Sequence, residues 1–193
     1  MNNGLGINFF RYLKEEDEQF WVQVFAKLPF DDVELAQKGA FFGVVKLKKT
    51  ENWSELDMEL TAWVDEYFNG LEKPIDLSDF YVSLGNKFSV DSGIWLSLFA
   101  EEGNRRMRAI GTGGLTLNIS RGGAEINLSK NLSGSRILSG ELKLGDTVTF
   151  GVCDFVKTKD EDLKLEELNS TSSFGCFRLE VLDVNNSVVE VVE

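Results

Sequence analysis

A chain of 193 residues, 42% of them hydrophobic, is long enough for one substantial core and sets the expectation of a single domain over residues 1–193. Its 32 acidic and 20 basic side chains give a formal charge of −12, which repels phosphodiester backbones and anionic lipid and argues against nucleic-acid or membrane-surface binding. Histidine is absent and the only thiols are Cys153 and Cys176, with no CxxC spacing, so zinc centres and histidine-based triads are excluded. Any chemistry falls to carboxylates, a thiol, lysine or a hard metal ion.

No apolar run approaches the ~20 residues that span a bilayer. The opening MNNGLGINFF lacks the basic start and long apolar centre of a signal peptide, so a cytoplasmic protein is expected, with residues 1–19 as a loose N-terminal segment.

Residues 20–26 (FWVQVFA) are dense in aromatic and β-branched side chains and predict a strand that Pro29 ends. A short strand over 32–35 and a Lys38-Gly39 turn lead to residues 40–47 (AFFGVVKL), whose almost continuous apolar character predicts a central strand. The three together read as a meander. Asn52 or Ser54 then caps a helix in which Trp53, Leu56, Leu60, Trp63, Val64, Tyr67 and Phe68 recur at spacings of three and four, and Gly70 stops it. An aromatic stripe at that period predicts core packing over a sheet. Asp76 or Ser78 starts a shorter helix over 77–88, weakened by Gly85.

From Gly93 onward the pattern is β: residues 94–101, 105–111, 115–121 and 124–128, separated by Glu102-Gly103-Asn104, Thr112-Gly113-Gly114 and Gly122-Gly123. Such short turns predict antiparallel neighbours. Residues 131–139 read as a polar, flexible connection, and Leu144-Gly145-Asp146 as a turn into a strand over 147–152. The charged stretch 157–169 reads as a surface helix or a loop, and strands over 177–184 and 188–192 flank an Asn185-Asn186 hairpin tip. The succession is α+β, with two stacked antiparallel β-sheets flanked by helices.

Three stretches carry a resemblance. Residues 95–128 (WLSLFAEEGNRRMRAIGTGGLTLNISRGGAEINL) hold an apolar strand, a turn, a strand ending in glycine and an Arg-Gly-Gly turn. Residues 142–156 (LKLGDTVTFGVCDFV) are similar to a pattern "L-x-x-G-D", an apolar run, then "S-D-G", and residues 30–49 (FDDVELAQKGAFFGVVKLKK) to an "E-D" strand followed by an apolar strand ending in "D-G". In this order they resemble the PPM or PP2C-type metal-dependent serine/threonine phosphatases, whose fold is an α-β-β-α sandwich. The resemblance implies metal ligands at Asp31, Asp32 and Asp154; the bland reading of Asp31-Asp32 is a solvated turn after Pro29.

The departures are chemically pointed. Lys46-Leu47 stand where the family has Asp-Gly, whose carboxylate bridges two metal ions, and a cation there opposes metal binding directly. Cys153 and Phe155 replace the serine and glycine around Asp154, and Asn185 stands where a further metal-binding acid is expected, unless Asn185-Asn186 is simply a turn. The resemblance therefore implies a catalytically impaired, pseudophosphatase-like domain that needs no cofactor and binds a protein partner in signalling. The alternative is an active phosphoprotein phosphatase with a rearranged Mg²⁺ or Mn²⁺ site.

Other constellations are plainer. Gly111-Thr112-Gly113-Gly114 precedes a β-like run and so reads as a hairpin turn rather than a phosphate loop. Both cysteines read as buried core thiols, since no histidine is present to activate them. Arg106 and Arg108 share one face of a strand, either as a surface charge ladder or as a contact for an acidic partner or phosphate.

Overall fold

Two strands that are apolar on both sides dictate the layering: Ala40–Lys48 and Ser92–Glu101, each buried along nearly its whole length. A strand with no polar face must be covered above and below. The computed structural model describes residues 6–14, 18–29, 32–90, 92–102, 104–112, 114–152 and 174–182. In chain order the elements are β1 (Gly6–Lys14), β2 (Phe20–Lys27), α1 (Asp32–Lys38), β3 (Ala40–Lys48), α2 (Trp53–Asn69), α3 (Leu77–Lys87), β4 (Ser92–Glu101), β5 (Asn104–Thr112), β6 (Thr116–Arg121), β7 (Ala124–Asn127), β8 (Leu138–Leu142), β9 (Thr147–Val152) and β10 (Phe174–Leu182).

They form two five-stranded antiparallel sheets, β1-β10-β9-β6-β7 and β2-β3-β4-β5-β8, here the first and second sheet. The inward line of each strand builds the inter-sheet core: Val22, Val24, Phe42, Val44, Ile94 and Leu96 from the second sheet meet Leu117, Val148, Phe150, Phe177 and Leu179 from the first. Phe177 is its centre, with ring centroids 5.5 Å from Phe42 and 5.4 Å from Phe150.

The outward line of the second sheet, Trp21, Phe25, Phe41, Val45 and Trp95, packs under Leu60, Val64, Phe68, Phe80 and Leu84 of α2 and α3. Phe41 and Trp95 stack at 5.5 Å and 4°, and Phe80 sets its ring edge against both, at 5.0 and 4.8 Å. Trp53, Trp63 and Tyr67 lie against this layer, so the aromatic stripe is core, as its period predicts. The Asp76 carboxylate caps α3 by accepting from the amides of Ser78 and Asp79 at 2.9 and 3.2 Å. At α2 neither expected side chain caps: Asn52 makes no such bond and Ser54 lies inside the helix. Outward positions of the first sheet are polar, among them Thr116, Asn118, Ser120, Thr147 and Thr149, and the described helical cover lies on the second sheet alone.

Several expectations are corrected. Residues 32–38 form helix α1 and not a strand: the segment is rich in helix formers, Lys38 reaches Glu34 one turn back at 3.6 Å, and Gly39 closes the helix at φ 73°. No three-strand meander exists there. The N-terminal segment is not loose, since β1 pairs with β10 along its entire length, Ile7 and Phe9 facing the core. Residues 131–139 are not a flexible connection; a short 3₁₀ turn and a Ser133–Arg136 bridge lead into β8, an edge strand on β5 whose alternation is too polar to stand out. The glycine stretch after β5 is no hairpin: β5 and β6 belong to different sheets, and the chain crosses over there. Cys176 is a buried thiol as expected, whereas Cys153, the stretch 157–169, the Asn185-Asn186 tip and residues 188–192 lie outside the described residues.

Two glycines are required by close approach rather than by a turn. A Cβ at Gly43 would strike the Trp95 ring, and one at Gly175 would lie 2.6 Å from Val22 Cγ1 and 2.9 Å from Val24 Cγ1 across the sheet interface. Gly175→Ala is expected to cost about 1–3 kcal/mol in urea denaturation, with part of the loss recovered in a Gly175→Ala, Val22→Ala double variant. Unchanged stability in the single variant would show that the sheets are not in contact at this point.

Candidate functional site

Alternation along β3 sends Val44 and Lys46 inward between the sheets, and Val45 and Leu47 outward under the helices. Lys46 is therefore the first charged residue on the inward line, half-buried at the end of the strand. Its cross-strand partners are Val22 on β2 and Ser92 on β4, which share its face; Ser92 is buried. The ammonium Nζ rests 4.1 Å from the centroid of the Phe20 ring.

Gly175 packs on Val22, Val24 and Val44 and pairs with Val152, the last residue of β9. The starts of β2, β4 and β10 and the ends of β3 and β9 thus converge at one mouth of the sandwich. Asp154 follows Val152 by two residues and lies outside the described residues. So do Asp31 and Asn185.

The remaining candidates are not brought to that mouth. Asp32 begins α1, which joins the end of β2 at Lys27 to the start of β3 at Ala40, six strand residues from Lys46, or about 20 Å. Asn185 comes after Leu182, which pairs with Gly6 at the end of the first sheet opposite Val152. The segment that enters the mouth is the one before Phe174. The acidic run Glu15-Glu16-Asp17-Glu18, directly ahead of β2, went unweighed in the sequence; an acidic run abutting a strand start was the signal, and residues 15–17 of it lie outside the described residues.

Arg106 and Arg108 lie on the outward face of β5, away from Lys46. Arg106 is shared between Glu101 at 3.3 Å and Glu141 at 3.9 Å, and the Arg108 guanidinium lies 4.5 Å from the Phe99 ring centroid. This is a satisfied charge ladder.

The "L-x-x-G-D" acid has a structural role. Gly145, at φ 82°, turns the chain from β8 in the second sheet to β9 in the first, and delivers Asp146 to a buried position beside Arg121 at the end of β6. Arg121 Nε and Nη2 donate to the two carboxylate oxygens at 2.8 and 2.6 Å, and the Lys143 amide adds a third bond at 2.7 Å. The Asp146 carbonyl accepts from Val181 on β10 at 2.9 Å, so one residue ties β6, β8, β9 and β10 together.

No protein-family model matches the chain, and no curated protein sequence does. Solved structures do. RsbX in complex with magnesium superimposes with a TM-score of 0.58 at 11% identity, over 91% of this chain and 96% of RsbX. A protein structure described with the bacterial stressosome, a modular system adapted to control secondary messenger signalling, gives 0.58 at 11% identity over 91% and 98%. The catalytic domain of the serine/threonine protein phosphatase PstP, in complex with two manganese ions, gives 0.54 at 12% identity over 93% and 100%. The chain has the PP2C-type phosphatase fold.

Two of these PP2C-type neighbours hold Mg²⁺ or Mn²⁺. A hard dication needs several oxygen ligands, carboxylates foremost. Around the end of β3 the described side chains are an ammonium, an isopropyl group, a hydroxyl and a phenyl ring, which do not fit that requirement. Among the described residues no group of three or more acidic or thiol side chains is arranged to hold a cation.

The Asp146 clamp has a defined pH signature. Burial opposes ionisation of this carboxyl, but the Arg121 hydrogen bonds, the Lys143 amide and the positive charges of Arg121 and Lys143 outweigh it and hold the acid below its ordinary value. A carboxyl depressed on folding stabilises the native state above its unfolded value, near pH 4, and that contribution is lost as pH falls through the native value. Asp146→Ala is expected to cost about 2 kcal/mol at neutral pH and to flatten the fall in melting temperature below about pH 4. Equal acid sensitivity in wild type and variant would exclude Asp146 as its source.

Proposed function

We propose that this chain is a catalytically impaired PP2C-type domain that serves as a protein-binding or regulatory module in cytoplasmic signalling. The observation that carries the reading is the inward-facing Lys46 at the end of β3, where the resemblance calls for the acid that bridges two metal ions. An ammonium repels a dication, and Val22 and Ser92 on either side supply no compensating carboxylate. The likeness to a stressosome-related structure supports a role exercised through protein contacts. Among the described residues no helix is long and apolar enough to cross a membrane, and the charge of −12 disfavours nucleic acid, which leaves a protein as the partner.

A second reading has one observation in its favour. β9 ends at the same mouth as β3, so Asp154, two residues on in sequence, belongs to the segment that leaves this end of the sandwich. An active enzyme would use Asp154 with other acids to hold Mg²⁺ or Mn²⁺, the ion supplying Lewis acidity and an activated water.

Metal titration separates the two. A site saturated a hundredfold above its dissociation constant adds about 2.7 kcal/mol, a rise of several degrees in a domain of this size. The impaired reading expects no saturable rise in melting temperature with Mn²⁺ and no metal-dependent hydrolysis of p-nitrophenyl phosphate. A saturable rise accompanied by turnover, both abolished in Asp154→Asn, would establish the active reading instead.

A further inference from the structure

Lys46 is an unusual choice for the inner line of a sandwich, because a half-buried ammonium forgoes much of its hydration. The Phe20 ring, 4.1 Å away, offsets part of that loss on one side and holds the side chain in place. Its three N–H donors remain to be satisfied, and a ring face can engage only part of them. Ser92, opposite Lys46 on β4, places a buried hydroxyl on the same face, at the ~5 Å Cβ separation of cross-strand neighbours. Strand period puts exposed Lys48 on the same line, at the rim, so the end of β3 carries two positive charges in series. In a chain of charge −12 this is a local reversal of sign, and at physiological ionic strength acids more than about 8 Å away are largely screened from it.

We propose that the inward end of β3 is an anion site, built on Lys46 with Ser92 beside it and Lys48 at its rim, that takes the phosphomonoester dianion of a phosphorylated protein. The inference rests on the reading of the chain as an impaired PP2C-type domain and extends it. A phosphomonoester carries roughly −1.5 to −2 charges at neutral pH with three acceptor oxygens, and a lysine ammonium binds it as a point charge beside a hydroxyl donor. The fixed charge on the chain then does what a dication would otherwise do for binding, without the Lewis acidity that activates water. A phosphorylated partner docks and is not hydrolysed.

The test uses the full chain freed of metal with EDTA and titrated calorimetrically with inorganic phosphate, with a phosphoserine peptide and with the same peptide unphosphorylated. Binding of phosphate and phosphopeptide without metal is expected, weakened about tenfold in Lys46→Met and about twofold in Lys48→Ala, and retained in Lys46→Arg. Met keeps a long side chain against Phe20, and Arg keeps the charge, so packing and charge are read separately. No binding by the wild type, or equal binding by Lys46→Met, would overturn the site; binding of inorganic phosphate but not of the phosphopeptide would overturn the protein-borne ligand. If phosphate binding fails while Mn²⁺ still produces neither stabilisation nor turnover, the anion site falls and the impaired-domain reading stands.

Discussion

The second sheet has no face that tolerates water, and the other layers follow from that constraint. β3 and β4 bury residues to both sides along nearly their whole length, so one face has to be closed by another sheet and the other by helices. The two covers differ in shape. Against the first sheet the inward line is aliphatic with a phenylalanine centre, whereas under α2 and α3 it is aromatic, with Phe41, Phe80 and Trp95 in mutual ring contact. Stacked and edge-on rings fill the wider, less regular gap between sheet and helix, and add to their area burial a geometric preference that fixes the helices in place.

Covering both faces leaves only the two ends of the sandwich open, and the chemistry collects there. Close packing of Gly175 on Val22 and Val44 brings the sheets together just inside one end, so the ends of β3 and β9 face a common mouth. That juxtaposition gives Lys46 its meaning: the same residue on an exposed edge would be an ordinary solvated lysine. The charged network of Asp146 and Arg121 is a different case. Its carboxylate is fully bonded by a guanidinium and an amide at a sheet-to-sheet crossover, and it holds strands rather than a ligand.

Much of this was legible in the sequence where a residue's period matched its burial. The α2 stripe from Trp53 to Phe68 and the continuous run of β3 announced their elements because burial on a helix face and burial on both sides of a strand leave distinct patterns. α1 was misread because Asp32 to Leu35 is too short to show a period, and the helix is set by the residues that follow and by Gly39. β1 and β8 were missed because edge strands with polar or charged alternation leave a faint trace in composition. In the site, Lys46 and Leu47 were assigned from their place after an apolar strand, and the structure puts Lys46 inward as that place requires. Asp32 and Asn185 carried no register information, and the backbone directs each of them to an end of the sandwich away from Lys46.

By itself the sequence determined that this is a histidine-free, acidic α+β chain with two stacked antiparallel sheets, and that a lysine interrupts a pattern in which the resembling phosphatases carry an acid. Residue type and local period suffice for such statements. Only the tertiary structure decided which short turns are hairpins and which are crossovers, which strand ends share a mouth, and that Lys46 faces Phe20 and Ser92 inside it. Those facts depend on the pairing of strands far apart in the chain, and strand pairing is set by the packing of whole faces, which no local pattern encodes.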